Sequence, residues 1–219
     1  MNALEPLLPV LQTLEPFGLP AAALQGWYAY ANQRQAARLA KHLEYELNLV
    51  HQKLSTRVNH AYLRSDAFQA NVVQAVRAAE MAESEDKLRF IARALAGCIL
   101  NFPVPQLDKF QTMRIVEGMS DRELRVFVEY FQLLDPIDPY TDAFPDDSHV
   151  TVAGLTRQEF MAALLGLEQL GLLTKERPLD KGSEWVIVSL QLRGGEGMVW
   201  TLTPLARQVA TLSRLQGDE

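Results

Sequence analysis

The chain is predicted to be mainly α-helical: an N-terminal bundle built on one long helix, followed by an α+β module with a small antiparallel sheet. Three observations predict this. Leu43, Leu47, Val50, Leu54, Val58 and Ala61 recur at gaps of 4, 3, 4, 4 and 3, the spacing of one helical face. Ser and Thr residues that suit helix starts stand before apolar, helix-periodic runs across the chain. After Gly171 the pattern changes to short apolar runs separated by Gly-rich turns, as strands require.

The elements follow in order. Residues 1–21 form an apolar arm, broken by Pro6, Pro9, Pro16 and Pro20, that packs on its own body or on a second subunit. From Pro20 to about His60 no further Pro occurs, which predicts one long helix. Its upstream patch of Leu24, Trp27, Tyr28 and Ala31 lies about 130° from the Leu43 stripe, so the helix should touch two partners. The stripe suits a coiled-coil-like subunit seam or a core face within one chain. Ser65 or Asp66 caps a second helix to about Ala82, with Phe68, Val72, Val73 and Val76 inward. Ser84 caps a third, burying Leu88, Ile91, Leu95 and Ile99. A fourth runs from about Gln106 to Glu117 and stops at Gly118. These elements make residues 22–118 the helical bundle.

Residues 119–219 form the second module. Ser120 and Glu123 have capping-box spacing ahead of a helix that buries Leu124, Phe127, Val128, Phe131 and Leu134. An acidic, turn-rich loop over 135–149 separates it from the next helix. Thr156 and Glu159 make a second capping box, Phe160, Leu164, Leu167 and Leu170 recur at helical spacing, and Gly171 ends the helix. Leu172–Thr174, Trp185–Leu190 and Met198–Thr203 read as strands, with a hairpin turn at Arg193–Gly197. Leu202-Thr203-Pro204-Leu205-Ala206-Arg207 leads into the last helix.

That order, with Leu167-x-x-x-Gly171-Leu172 closing one helix and Leu-Thr-Pro-Leu after the ribbon, resembles the winged-helix regulators of the MarR and PadR type. The resemblance covers about residues 120–214 and implies a winged-helix-like module. It also implies contact residues by position: Arg157, Gln158, Lys175, Arg177 and Lys181 would touch DNA if this module binds it. The outward positions Gln158, Ala162, Leu165 and Gln169, flanked by Arg157 and Met161, depart from a DNA-reading helix. Leu165 and Met161 suit a dry protein contact instead. In the ribbon, Glu176, Asp180 and Glu184 interleave with Lys175, Arg177 and Lys181 and cancel most of their field.

Charge bounds the function classes. The net charge is −6 over 219 residues. Residues 34–93 carry 10 basic and 7 acidic side chains, and residues 94–149 carry 4 and 10. No segment has the basic excess of a dedicated phosphate-backbone binder. The most basic region holds Arg34, Arg38 and Lys41 on one helical face, then Lys53, Arg57 and Arg64; such a run is ordinarily a solvated face. The absence of Lys and Arg before Arg34 argues against a secretory signal, and no apolar run reaches the ~20 residues of a membrane span.

Candidate chemistry is thin. Cys98 sits in an apolar run and reads as a small buried hydrophobe. As the one cysteine it excludes an intramolecular disulfide and fits a reducing cytoplasm. His42, His51 and His60 recur every nine residues, but on one helix His51 faces away and the others stand about 27 Å apart. Asp135, Asp138, Asp142, Asp146, Asp147 and His149 lack the spacing, the Gly and the Glu of a calcium loop. No phosphate-cradling loop, nucleophile elbow or zinc-protease motif occurs. The sequence therefore predicts no catalytic, cofactor or metal site. It predicts a cytoplasmic, non-catalytic regulatory or interaction protein. Homo-oligomers would form through Leu43, Leu47, Val50, Leu54 and Val58, and the winged-helix-like module would contact a protein partner. The alternative is a DNA-binding winged-helix transcriptional regulator.

Overall fold

The computed structural model describes residues 33–102, 108–134, 152–176 and 199–215. They form a mainly helical structure with one two-stranded antiparallel sheet. No helix among them is long and apolar enough to cross a membrane. The chain divides into two compact units. One runs to Asp121 and is completed by the residues from Gln208; the other is Arg122–Arg207.

The first unit contains α1 (Gln33–Leu54), α2 (His60–Leu63), α3 (Asp66–Glu80), α4 (Glu85–Cys98) and α5 (Lys109–Gly118). At the starts of α2, α3, α4 and α5 a side-chain cap satisfies one of the amides that a helix start leaves open. Asn59 accepts from Tyr62 at 2.9 Å, Ser65 from Phe68 at 3.3 Å, Ser84 from Lys87 at 3.1 Å and Asp108 from Gln111 at 2.9 Å. The long helix does not reach His60. It ends at Leu54, and a 3-10 turn at Ser55–Arg57 gives way to extended backbone at Val58. There the chain bridges to Leu100, with Asn59 N–H donating to the Ile99 carbonyl and Asn101 N–H to the Arg57 carbonyl, both at 2.7 Å. Those two bonds compete with continued helix, so His60 sits on α2 instead. At the other end, α5 stops at Gly118 without a left-handed turn: the next residue, Met119, is extended with φ of −73°.

Helix α4 is the centre of this unit. It packs against α1, α3 and α5. Leu88, Phe90, Ile91, Ala92, Ala94, Leu95, Ala96 and Cys98 are all buried on it. Its start is fastened to the 119–121 segment. Asp121 accepts from the Glu83 and Ser84 amides at 3.1 and 2.9 Å and from the Ser84 hydroxyl, while the buried Lys87 ammonium donates to the Met119 carbonyl. At Gly97 there is no room for a side chain, because a Cβ would collide with the Leu212 carbonyl. The residues at the end of α8 (Pro204–Leu212) therefore lie backbone-close on α4, and Val209, Ala210 and Leu212 are buried.

The second unit contains α6 (Asp121–Leu134, from Arg122), α7 (Arg157–Gln169), β1 (Leu173–Glu176), β2 (Val199–Leu202) and the start of α8. On α6, Leu124, Val126, Phe127, Tyr130, Phe131 and Leu134 are buried, whereas Val128 is only half-buried. The Thr156 capping box forms as spaced: Glu159 N–H donates to the Thr156 hydroxyl at 3.3 Å, and Thr156 N–H donates to the Glu159 carboxylate at 3.0 Å. At the other end Gly171 adopts φ of +75°. Its amide bonds to the Glu168 carbonyl and that of Leu172 to the Leu167 carbonyl, each at 2.9 Å, the Schellman pattern. Strand β1 then pairs antiparallel with β2, Leu173 opposite Leu202 and Lys175 opposite Trp200. The Thr203 hydroxyl donates to the Gly171 carbonyl at 2.6 Å and accepts from Ala206 N–H at 3.1 Å, so one residue caps α8 and holds it to the end of α7. The strand expected at Trp185–Leu190, the hairpin turn, the acidic loop and the N-terminal arm lie outside the described residues.

Two glycine substitutions test this geometry by urea unfolding. Gly97→Ala must displace the Leu212 backbone and is expected to cost about 2–3 kcal/mol, with loss of the C-terminal docking. Gly171→Ala forces a side chain into the left-handed region and should cost about 1–2 kcal/mol. Gly166→Ala serves as the control, since its Cβ meets only the movable end of Glu123 while Ala favours helix. It should stay within about 1 kcal/mol of the parent.

Candidate functional site

The outer face of α7 is where the sequence placed contact residues, and the azimuths hold. Phe160, Ala163, Leu164 and Leu167 are buried, while Gln158, Ala162, Leu165 and Gln169 are exposed. Leu165 keeps 45% of its surface open, a large apolar side chain in the middle of an uncharged stripe. Met161 is half-buried beside it.

Arg157 is exposed at the first turn, its guanidinium carbon 5.3 Å from the Phe160 ring centre. Lys175 is exposed on β1 with its ammonium 4.6 Å from the ring of Trp200, its cross-strand neighbour. Arg177 and Lys181 lie outside the described residues. Arg122 pairs with Glu159 at 3.3 Å. The Glu159 carboxyl is held below its ordinary value by the Thr156 amide, then the Thr156 hydroxyl, with Arg122 adding to both.

The five residues expected at a subunit seam go elsewhere. Leu43, Leu47, Val50 and Val58 are buried within the first unit and Leu54 is half-buried. Within this chain the stripe packs as core, chiefly against α4. The face of α1 that does meet solvent carries Lys41, Tyr45, Asn48 and Gln52.

Three polar groupings in the first unit were not foreseen. His42 and Arg38 converge on Glu85, at 2.6 Å from Nε2 of His42 and 2.6 Å from Nη2 of Arg38. These contacts hold the Glu85 carboxyl below its ordinary value of 4.5, the His42 hydrogen bond most of all. They also take Arg38 out of the basic face it was expected to share with Arg34 and Lys41.

The second grouping surrounds Cys98, which is fully buried with its thiol pushed up to about 12 by desolvation. The Asn71 amide lies 2.6 Å from the Tyr62 hydroxyl and 3.7 Å from the Cys98 sulfur. Lys109 donates to the Cys98 and Leu100 carbonyls at 2.6 and 2.9 Å and sits 4.1 Å over the Tyr62 ring. Burial lowers the Lys109 pKa and raises that of Tyr62. The Lys109 ammonium thus closes the carbonyl end of α4, and burial disfavours the thiolate of Cys98.

The third grouping is an ion triad around one buried carboxylate. Glu46, 5% exposed, faces Arg93 at 3.4 Å and, more closely, Arg214. Arg214 follows α8 in the left-handed region at φ of +49°, a place where Gly is usual. Its amide bonds to the Thr211 carbonyl at 3.1 Å and that of Leu215 to the Ala210 carbonyl at 2.9 Å, a second Schellman turn. A signal for Glu46 existed in the sequence, because position 46 falls on the same azimuth as 43, 47 and 50. An acid on a buried stripe must find a cation.

Among the described residues, no group of three or more His, Cys, Asp or Glu side chains is placed to hold a metal ion. Compared with known proteins, the chain matches no family model, no curated protein and no solved structure.

Removing Glu46 leaves the Arg214 charge buried, so Glu46→Ala should cost about 3–5 kcal/mol in urea unfolding. In a double-mutant cycle with Arg214→Ala the two changes should be strongly non-additive. At Glu85 the sign follows from a lowered carboxyl pKa: stabilisation is present above 4.5 and is lost as pH falls below it. Carboxyl NMR should place the Glu85 midpoint below 4.5, and His42→Ala should move it upward.

Proposed function

We propose that this chain is a non-catalytic regulatory and interaction protein whose second unit is a winged-helix-like module that contacts a protein through the outer face of α7. The order of helix, Gly turn, strand, strand and Thr-capped helix supports the winged-helix reading, as does the fastening of α8 to α7 through Thr203. One observation carries the choice of a protein partner. The exposed stripe Gln158–Ala162–Leu165–Gln169 is uncharged along its whole length and has an open leucine at its middle. A helix seated in a DNA groove instead needs donors and cations on that stripe to meet bases and phosphates. Full burial of the Cys98 thiol supports the non-catalytic reading, since a nucleophilic cysteine needs an accessible thiolate.

The second reading, a DNA-binding winged-helix regulator, is favoured by Arg157 and Gln158 at the exposed first turn of α7 and by Lys175 on the adjoining strand. A duplex titration across salt separates the two. The protein-contact reading predicts no binding at about 50 mM salt. Binding that weakens with a log–log slope of about −0.9 per neutralised phosphate, and that Arg157→Ala and Lys175→Ala abolish, would replace it with the DNA reading.

A further inference from the structure

We infer that the outer face of α7 pairs with the same face of a second copy, antiparallel about a two-fold axis at the level between Ala163 and Leu164. This rests on the reading of that face as a protein contact and names the protein. The exposed stripe has gaps of 4, 3 and 4, which read the same in both directions. Reversal therefore sets Gln158 against the partner's Gln169 and Ala162 against the partner's Leu165. The first pair can exchange amide hydrogen bonds, and the second seats a large side chain over a small one. Both repeat on the other side of the axis, as an isologous contact requires.

The charges beside the stripe agree. At 100° per residue, Arg157 and Glu168 lie on one flank of the stripe at opposite ends of the helix. The two-fold rotation keeps that flank on its own side and inverts its direction. It brings Arg157 to within about 3 Å, in axial level, of the partner's Glu168. Two such oppositely charged pairs form per dimer. On the other flank, Glu159 and the partner's Glu159 stand about 13 Å apart in level, and each copy's Glu159 is already paired with its own Arg122. Antiparallel pairing thus seats a large side chain over a small one and sets a cation beside an anion.

The contact is short. Thirteen helical residues span about 20 Å, so the buried area falls below the roughly 1,200 Å² of a standard stable interface. The dimer should accordingly be weak and reversible, dissociating in the micromolar range.

Sedimentation velocity on the full chain from about 1 µM to about 1 mM tests this. The expected result is a concentration-dependent monomer–dimer equilibrium. Leu165→Arg, on an exposed side chain, should abolish it. Arg157→Glu and Glu168→Arg should each weaken it about tenfold, and the doubly exchanged chain should recover it. Both exchanges suit the helix dipole, acid at the first turn and base at the last, so the fold is kept. A wild-type chain monomeric to about 1 mM, a dimer indifferent to Leu165→Arg, or a double exchange that does not recover would each overturn the pairing. A monomer that also ignores duplex DNA defeats only the self-pairing, whereas salt-dependent duplex binding defeats the reading beneath it.

Discussion

With no side chain at Gly97, the backbone at Leu212 comes directly against α4, and much of the first unit depends on that approach. It places the last turn of α8 among apolar residues, so that Val209, Ala210 and Leu212 lose nearly all contact with water. It also delivers Arg214 to Glu46, a carboxylate on the buried stripe of α1 whose other partner among the described residues is Arg93. Holding a non-glycine residue in the left-handed region costs about 1–2 kcal/mol, and the Ser213 hydroxyl is buried with no partner among the described residues. Apolar burial and the triad must offset both. A unit completed by residues that follow an 86-residue excursion of the chain is thus bound together by one missing Cβ and one buried carboxylate.

The second unit is organised by its helix ends. The Thr156 box and the Gly171 turn fix the length of α7, and Thr203 ties the start of α8 to the same turn. With both ends fixed, which residues face outward is settled by helical pitch alone. Charge then decides what such a face can meet. Glu159 is engaged by Thr156 and Arg122, while Arg157 and Lys175 each lie against an aromatic ring at the margins. The middle of the face is left to amides, an alanine and a leucine, which favours a dry, self-complementary surface over a phosphate backbone.

Local signals were legible in the sequence and long-range ones were not. Ser65, Ser84 and Thr156 cap their helices and Gly171 ends one, because capping chemistry acts within three or four residues. The break after Leu54 was missed: no Gly or Pro marks it, and the bonds that favour it come from Ile99 and Asn101, about 40 residues on. The Leu43 stripe lies on the azimuth that its spacing predicts, but the spacing does not name what covers it. Periodicity reports that a face is apolar, not whether its own chain or another covers it. The candidate site divides in the same way. The exposure of Gln158, Ala162, Leu165 and Gln169 followed from pitch, whereas the Arg157 and Lys175 ring contacts depend on tertiary placement. Glu46 announced a buried charge, yet its partner Arg214 stands 168 residues away.

The C-terminal residues are an integral part of the first unit. Native-state hydrogen exchange on a chain ending at Arg207 tests this most directly. The amides of α4 around Gly97, and those of α1 around Glu46, are expected to lose protection relative to the full chain. Unchanged protection at both places would contradict it.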